Sequence, residues 1–272
     1  MCNTLNLSYE FGIRMTPAKQ TEMLSVHPIT DIGEIRTGDP LDVVLGDALE
    51  GSEPGLQDGD ILAITQKIVS KAEGRIVDLD TVTPGKQAIE LAEQTRKDPR
   101  LVQLILAEST KVVRAIPGLL IVRHKLGLVM ANAGIDKSNI GPGQGERVLL
   151  LPVDPDRSAR DISSALEARF GFSVPVVITD SFGRPWRHGV TGVAIGVSGM
   201  PALLDQRGEL DRDGRTLEVT QVALADLIAG AAMLVTGEGA QGIPAVLVRG
   251  LPWSGEGAAA DLIRPLSEDQ FQ

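Results

Sequence analysis

The feature that most constrains the fold is a short apolar run that ends in a group of polar side chains. Residues 174–178 form this run and predict a buried strand, and Asp180, Ser181 and a Gly-bearing loop follow it. Positively charged or titratable side chains come within the next eight positions: Arg184, Arg187 and His188. Carboxylate and hydroxyl oxygens can hold a metal ion at a sheet edge, and guanidinium groups bind phosphates or carboxylates. The alternative is a strand that leaves the sheet with a solvated polar tip, and His188 is either a general base or a structural residue.

Composition restricts the class of protein. The chain has 272 residues, enough for one large domain or two modest ones. Aromatic residues are only 3%, so the core must consist of Val, Leu, Ile and Ala, and base-stacking platforms for nucleic acid are not expected. The net charge of −10 also argues against nucleic acid, and anions would need a local basic patch or a bound metal.

The single cysteine, Cys2, excludes a disulfide within one chain and fits a reducing cytoplasm. No apolar run reaches the ~18 residues that span a membrane, and the first twenty residues lack the apolar core of a signal peptide. We therefore expect a cytoplasmic protein that does not act at a membrane. Residues 1–22 are expected to be a flexible N-terminal extension, with Met15 and Met23 as alternative starts, and residues 23–272 are expected to form the functional domain.

Apolar patterning predicts interleaved but irregular strands and helices. Strands are expected at 60–65, 75–79, 119–122, 126–131, 193–197 and 245–248. Helices are expected at 66–71, 161–170 and 216–235. Two more helices are expected to start at Thr83-Pro84 and at Asp98-Pro99, and Val112 is expected on the apolar side of the second of these. This order favours an α+β fold with mixed or antiparallel sheets and packed helices over a doubly wound parallel one.

Two further polar clusters follow predicted strands. Gln66, Lys67 and Lys71 come directly after the strand at 60–65, where lysines can reach phosphates or form a solvated helix face. Asp136 and Asn139 offer oxygens three positions apart in a run of small residues, which suits Mg²⁺ or Mn²⁺ or else an Asx turn. Residues 141–145 after this cluster are expected to be a flexible loop.

The segment from Thr236 to Ile243 has the spacing G-x-G-x-x-G. A dinucleotide fingerprint must follow a strand and open a helix, whereas here a helical pattern precedes and a strand follows. The segment is then either a loop whose amides cradle phosphates, with Glu238 as a third carboxylate, or a helix-to-strand turn that uses Gly237 as a stop.

Known nucleophile motifs are absent from the sequence. It has no G-x-S-x-G and no Cys–His pairing, and the absence of G-x-x-x-x-G-K-[ST] separately disfavours a P-loop NTPase. Three carboxylates in Gly-flanked settings favour phosphoryl chemistry at two metals over covalent catalysis.

Taken in order, these clusters resemble the coenzyme F420-0:γ-glutamyl ligase family. The resemblance runs from about residue 26 to about residue 257, and we expect no second activity of the kind that a reductase-like C-terminal domain gives some bacterial members. It is carried by the segments 59–62, 70–75, 132–139, 178–184, 192–199, 211–220 and 237–250, with Ser181 where many members have Thr.

The resemblance implies a GTP-dependent ligase that attaches L-glutamate, once or several times, to coenzyme F420-0 through an acyl phosphate. It also implies an F420 ligase-like α+β fold, an intertwined homodimer, two Mg²⁺ or Mn²⁺ sites, and K⁺ as a further candidate ion. Two alternatives remain: a two-metal phosphatase or phosphotransferase that acts on a nucleotide or a phosphorylated small molecule, and a binding protein without catalysis.

The resemblance also implies roles for particular residues. Asp136, Asp180 and Glu238 would be catalytic, and together with Ser181 they would ligate metal. Nucleotide contacts are implied for Asp31, Ile32, Gly33, Glu34, Gln66, Lys67, Lys71, Asn139, Thr236, Gly237, Glu238, Gly239, Ala240, Gln241, Gly242 and Ile243. Arg184, Arg187 and His188 are candidates from the residues alone for binding the acceptor phosphate or the glutamate carboxylate.

Overall fold

A computed structural model of the chain describes residues 23–141 and 145–269. The expected N-terminal extension, 1–22, and the middle of the expected loop at 141–145 lie outside the described residues. The strands are β1 Ser25–Ile29, β2 Ile61–Thr65, β3 Ile76–Asp78, β4 Ser109–Ile116, β5 Leu119–His124, β6 Val129–Ala131, β7 Arg147–Leu149, β8 Val176–Arg184, β9 Arg187–Ser198, β10 Leu204–Asp205, β11 Gln221–Val222 and β12 Ala245–Arg249. The helices are α1 Leu41–Glu50, α2 Gln66–Ala72, α3 Lys86–Thr95, α4 Pro99–Ala107, α5 Pro155–Phe170 and α6 Leu224–Thr236.

The main sheet has five strands in the order β1-β12-β2-β8-β9. Only β2 and β8 run parallel, and the other neighbours are antiparallel, so the sheet is mixed. Strand β2 is apolar on both faces: Leu62 and Ile64 lie in one core, and Ile61 and Ala63 lie in the other. A strand that is buried on both faces reads as a continuous apolar run rather than an alternating one, which is the pattern in this sequence.

Helices cover both faces of this sheet. On one face, Leu45 and Leu49 of α1 and Leu166 of α5 pack into the first core. On the other face, Leu224 and Ile228 of α6 pack into the second core. The ends of the central strands therefore lie between helical layers, and polar side chains beyond those ends face the spaces that the helices leave open.

A smaller unit lies beside this sandwich. Strands β4, β5 and β6 form an antiparallel sheet, and α3 and α4 cover one of its faces through Val102, Ile105, Leu120 and Val122. A short pair, β3 with β7, continues the unit. The predicted α+β class with mixed and antiparallel sheets and packed helices is confirmed.

Several predicted boundaries are wrong. The helix predicted at 216–235 begins at Leu224, because residues 216–222 pair back across a turn with 204–210 and use their backbone groups there. Helix α3 begins at Lys86 with Gly85 as its N-cap, rather than at Thr83. Val112 lies in β4, since α4 ends at Ala107. Strands β1, β4, β7, β10 and β11 and helix α1 were not predicted.

Helices in the described part of the chain are all too short or too polar to cross a membrane.

Candidate functional site

The site begins where two parallel strands stop pairing. Strands β2 and β8 pair in register up to Thr65 with Thr179, and there β2 gives way to α2. The sequence predicted that β8 ends at residue 178. The strand instead continues through Asp180 to Arg184 as one arm of a long hairpin with β9. Because β2 has left the sheet, Asp180 and Ser181 face a space that no strand of the described residues fills.

A first cavity of about 560 Å³ occupies this space. It gathers most of the predicted nucleotide-binding residues: Ile32, Gly33, Glu34, Gln66, Lys67, Lys71, Asn139, Thr236, Gly237, Glu238, Gly239, Ala240, Gly242 and Ile243. Asp180 and Ser181 complete its floor. Segments that are up to two hundred positions apart in sequence thus meet at the end of β2.

Two of the predicted nucleotide-binding residues, Asp31 and Gln241, do not line this cavity, and the predicted metal ligand Asp136 lines the second cavity described below instead. Asp31 is exposed, has a left-handed backbone with φ of 64°, and accepts a hydrogen bond from the hydroxyl of Thr30 at 3.0 Å. Gln241 instead braces the glycine-rich loop, since its Oε1 accepts a hydrogen bond from the backbone N–H of Gly239 at 2.8 Å.

The lysines of α2 are held by acidic partners. Lys71 Nζ lies 2.6 Å from Glu34 Oε1, and its side chain is only 7% exposed, so the expectation of a solvated helix face is wrong for this residue. Lys67 Nζ lies 2.6 Å from Asp136 Oδ2 and donates to the hydroxyl of Ser138 at 2.9 Å. Both lysines line the cavity, so their ammonium groups can act as point charges toward an anion bound there.

An unusual turn brings Asp136 to Lys67. Asn132, Ala133 and Gly134 all have left-handed backbones, with φ of 53°, 55° and 69°. Such conformations cost ~1–3 kcal/mol each in residues with a side chain and often occur at functional sites. Asn139, three positions beyond Asp136, donates from its amide nitrogen to the carbonyl oxygen of Gly239 at 3.2 Å and so ties this segment to the glycine-rich loop.

The glycine-rich loop connects α6 to β12, as its sequence context predicted. Gly237 ends α6 with φ of 64°. A Cβ at this position would lie 2.5 Å from the Gln241 side chain, so the tight turn and the packing of Gln241 both require glycine.

Asp180 has the most strongly shifted acidity of the site. Burial removes its carboxyl group from water and raises its pKa from 3.8 to about 7. The backbone N–H of Ser181 and the charge of Lys67 oppose the rise, and the charges of Asp136 and Glu238 add to it. Asp136 is also penalised by burial, but its hydrogen bonds from Lys67 and Ser138 hold its pKa below the ordinary value. Asp180 therefore forms one electrostatic unit with Lys67, Asp136 and Glu238.

The oxygen donors of this unit have the chemistry that Mg²⁺ or Mn²⁺ requires. Burial raises the pKa of Asp180, and the charge of Lys67 offsets this rise only in part. Within residues 23–141 and 145–269, however, no three His, Cys, Asp or Glu side chains are gathered closely enough to hold a metal ion. The donor set fits a hard cation chemically, but it is not a preformed cage.

A second cavity, of about 1210 Å³, lies on the other side of Asp180. It separates the outer face of the β4-β5-β6 sheet from the outer half of the β8–β9 hairpin. The predicted substrate residues Arg184, Arg187 and His188 line it. Arg184 Nη2 donates to the backbone carbonyl oxygen of His188 at 2.9 Å, which braces the hairpin tip. Asp180 and Ser181 line both cavities, so the two spaces meet at these residues.

Three basic residues of the second cavity were missed from the sequence: Lys111, Arg114 and Arg123. Lys111 and Arg114 lie in β4 and Arg123 lies in β5, and β4 exposes two residues for each more buried one because two register shifts interrupt its pairing with β5. Strict alternation would place Lys111 and Arg114 on opposite faces, whereas bulges bring both to the cavity. The only signal in the sequence was a basic, β-branched run.

Comparison with known proteins identifies a family for this chain. The sequence model of the F420-0:gamma-glutamyl ligase family matches residues 30–250. A coenzyme F420:L-glutamate ligase from Methanopyrus kandleri is 45% identical over 92% of this chain and 98% of its own length. Proteins of the same name from Methanocaldococcus jannaschii and Methanothermobacter thermautotrophicus are 47% and 42% identical, over 80% and 88% of this chain and 86% and 94% of their own lengths.

Proposed function

The chain belongs to the F420-0:γ-glutamyl ligase family, and we propose that it joins L-glutamate to coenzyme F420-0 with GTP as the phosphoryl donor. The observation that carries this proposal is that Asp180 and Ser181 line two cavities at once. A ligase of this kind must bring a nucleotide and an acceptor carboxylate together, and two cavities with a common border offer one space for each.

The first cavity suits a nucleoside triphosphate. Lys67 and Lys71 border it on one side, and the glycine-rich loop from Thr236 to Ile243 supplies backbone N–H groups on another. Cations and oriented amides together are the usual means of holding a polyphosphate. We propose that the terminal phosphate points toward Asp180, where the second cavity begins.

We propose a reaction in two balanced steps. First, an oxygen of the acceptor carboxylate attacks the γ-phosphorus, the bond to the bridging oxygen breaks, and GDP leaves with that electron pair. Next, the amine of glutamate attacks the acyl carbon, inorganic phosphate leaves, and the amine releases its surplus proton to solvent. The chain contributes mainly by position and electrostatics, which govern phosphoryl transfer.

Asp136, Asp180, Ser181 and Glu238 would hold Mg²⁺ or Mn²⁺ in this proposal. The cation would supply neutralisation of the polyphosphate charge. The residues themselves fix the border between the cavities: Asp180 through its hairpin, and Asp136 through its ion pair with Lys67.

Mass spectrometry tests the function directly. The protein is incubated with F420-0, L-glutamate, GTP and Mg²⁺ or Mn²⁺, beside Asp180→Asn and the matched control Asp58→Asn, whose exposed site lies outside both cavities. We expect F420-0 to gain whole glutamyl units with the native protein and with Asp58→Asn, and not with Asp180→Asn. GTP hydrolysis that needs neither glutamate nor F420-0, without any mass gain, would contradict the ligase and indicate a phosphotransferase.

A further inference from the structure

The outer face of the small antiparallel sheet carries a group of cations that the proposed reaction does not use. Lys111 and Arg114 reach this face from β4, and Arg123 reaches it from β5. The register places Lys111 directly opposite Arg123. Like charges that lie opposite each other destabilise a sheet. A bound anion would offset this repulsion.

Internal counter-charges are few. In the described part of the chain, no carboxylate comes within 4.0 Å of the charged nitrogens of Lys111 or Arg114. The chain as a whole has a net charge of −10, with ten more acidic than basic residues (36 − 26). Uncompensated cations that line a cavity in so acidic a protein indicate a site for an anionic ligand.

Asp136 and Asp180 line the cavity at its border with the first one, and a third acidic side chain lines it beside the basic residues. Asp269, near the C-terminus, lines the space and places Oδ2 3.0 Å from Arg123 Nη2. The Arg123 and Asp269 side chains are only 13% and 19% exposed, so the pair is largely removed from water. This contact shows that Arg123 can bind a carboxylate within the cavity.

The rest of the lining describes the ligand further. Leu119, Ile121 and Val129 form an apolar surface between the basic residues. The cavity, at about 1210 Å³, is larger than ordinary ligand pockets, which span ~300–1,000 Å³, and far exceeds the needs of free glutamate. A large ligand with a flat apolar part and anionic groups fits this surface.

We propose that Lys111, Arg114 and Arg123 form the anion-binding wall of the acceptor site, and that Asp269 occupies Arg123 in the free protein until an anionic group of the acceptor displaces it. This inference rests on the proposed function, because it takes F420-0 as the acceptor. It assigns binding and specificity to this wall, while phosphoryl transfer takes place at the border with the first cavity.

Equilibrium binding of F420-0, followed by calorimetry without GTP or glutamate, tests the wall. The variants are the double replacement Lys111→Gln with Arg114→Gln, single Arg123→Gln, and Arg160→Gln on the exposed side of α5 as the matched control. We expect the dissociation constant to rise about tenfold in the double variant and about tenfold or more for Arg123→Gln, and to stay unchanged for Arg160→Gln. Arg123→Lys should restore only part of the loss, because it keeps the charge but not the planar fork.

Asp269→Asn tests the internal occupant. We expect it to tighten F420-0 binding about threefold, since Arg123 no longer has to give up a charged partner. Weaker binding in this variant would overturn the displacement of Asp269.

The outcomes separate the two proposals. If the native protein binds F420-0 and the double variant binds it equally well, the wall is wrong and the ligase function stands. If the double variant is well folded and raises only the KM for glutamate, the acceptor assignment is overturned. If the native protein does not bind F420-0 at all, the proposed function itself fails.

Discussion

The pKa of Asp180 depends on residues from several segments of the chain. Its carboxyl group is buried at the end of a parallel strand pair and lies in the field of Asp136 and Glu238. Near pH 7 the group is divided between its neutral and charged forms, so it is poised to give up a proton when positive charge arrives.

The raised pKa of Asp180 predicts a pH dependence of stability. Between the unfolded value of 3.8 and the folded value of about 7, the folded protein binds more protons at this residue than the unfolded chain does. Its contribution to stability is therefore complete below pH 3.8 and is lost as the pH rises through about 7. Asp180→Asn should remove this loss and raise the melting temperature of the metal-free protein at pH 8 by several degrees, at ~2–4 °C per kcal/mol.

Calorimetric melting curves at pH 5 and pH 8 would check this. The advantage of Asp180→Asn should be large at pH 8 and small at pH 5. Equal effects at both values would mean that the Asp180 carboxyl group is not held neutral by burial.

Lys71 predicts a second effect at a single residue. Its buried ammonium group lies 2.6 Å from Glu34 and borders the first cavity. Lys71→Gln should weaken GTP binding about tenfold, because a charge-assisted contact with a phosphate is lost. Lys86→Gln, on the exposed surface of α3, is the matched control, and fluorescence titration with a labelled GTP gives both dissociation constants. An unchanged affinity in Lys71→Gln would place the polyphosphate elsewhere.

At the scale of elements, the sequence predicts segments that have a local cause. Strand β2 is a continuous apolar run, α4 starts at an Asp98 cap followed by proline, and α5 stops at Gly171. The strands that were missed or shortened depend on distant partners. Strand β8 runs on to Arg184 only because β9 pairs with it, and β4 presents its basic residues through bulges that pairing with β5 creates.

The candidate site follows the same division. The four polar clusters could be found in the sequence, because each follows a recognisable strand or helix. Their proximity is a finding of the structure: Lys67 meets Asp136, and Asn139 meets Gly239 across a hundred positions. The roles implied by the family resemblance remain predictions. The basic wall of Lys111, Arg114 and Arg123 could not be predicted, because its residues share one face only through the bulges in β4.

Strand β9 passes close to helices on both faces of the sheet, which predicts an effect of one methyl group. A Cβ at Gly196 would lie 2.4 Å from the carbonyl oxygen of Pro155 at the start of α5. Gly196→Ala should therefore lower the free energy of unfolding by ~1–3 kcal/mol, since the backbone of α5 would have to move. Gly183→Ala is the control on the same hairpin, where a Cβ meets open space. Urea unfolding should separate the two variants, and equal midpoints would contradict the close approach.

At the scale of the whole molecule, α6 has one face in the core and another exposed. Leu227 and Leu234, two turns apart, are 62% and 87% exposed. Exposed leucines in line on a helix often belong to an interface between subunits. We therefore propose α6 as part of the contact in the homodimer that the family resemblance implies.

Replacement of both leucines by glutamate tests this contact. Leu227→Glu with Leu234→Glu should convert a dimer into a monomer by light scattering, without loss of helical circular dichroism. Arg160→Gln on α5 again provides the control. A native protein that is monomeric at micromolar concentration, or a double variant that stays dimeric, would remove α6 from the interface.

The long hairpin has a consequence for how such a protein can diversify. Its inner half pairs with β2 on one side and packs between two helical layers, whereas its tip, from Phe182 to Val190, lines the second cavity and not the first. Under the proposed assignment of the second cavity to the acceptor, changes at the tip would alter the choice of acceptor and leave the residues of the first cavity in place. Exchange of the tip, residues 182–190, between relatives is therefore expected to change acceptor choice, in evolution or in the laboratory. The proposed GTP site would stay the same.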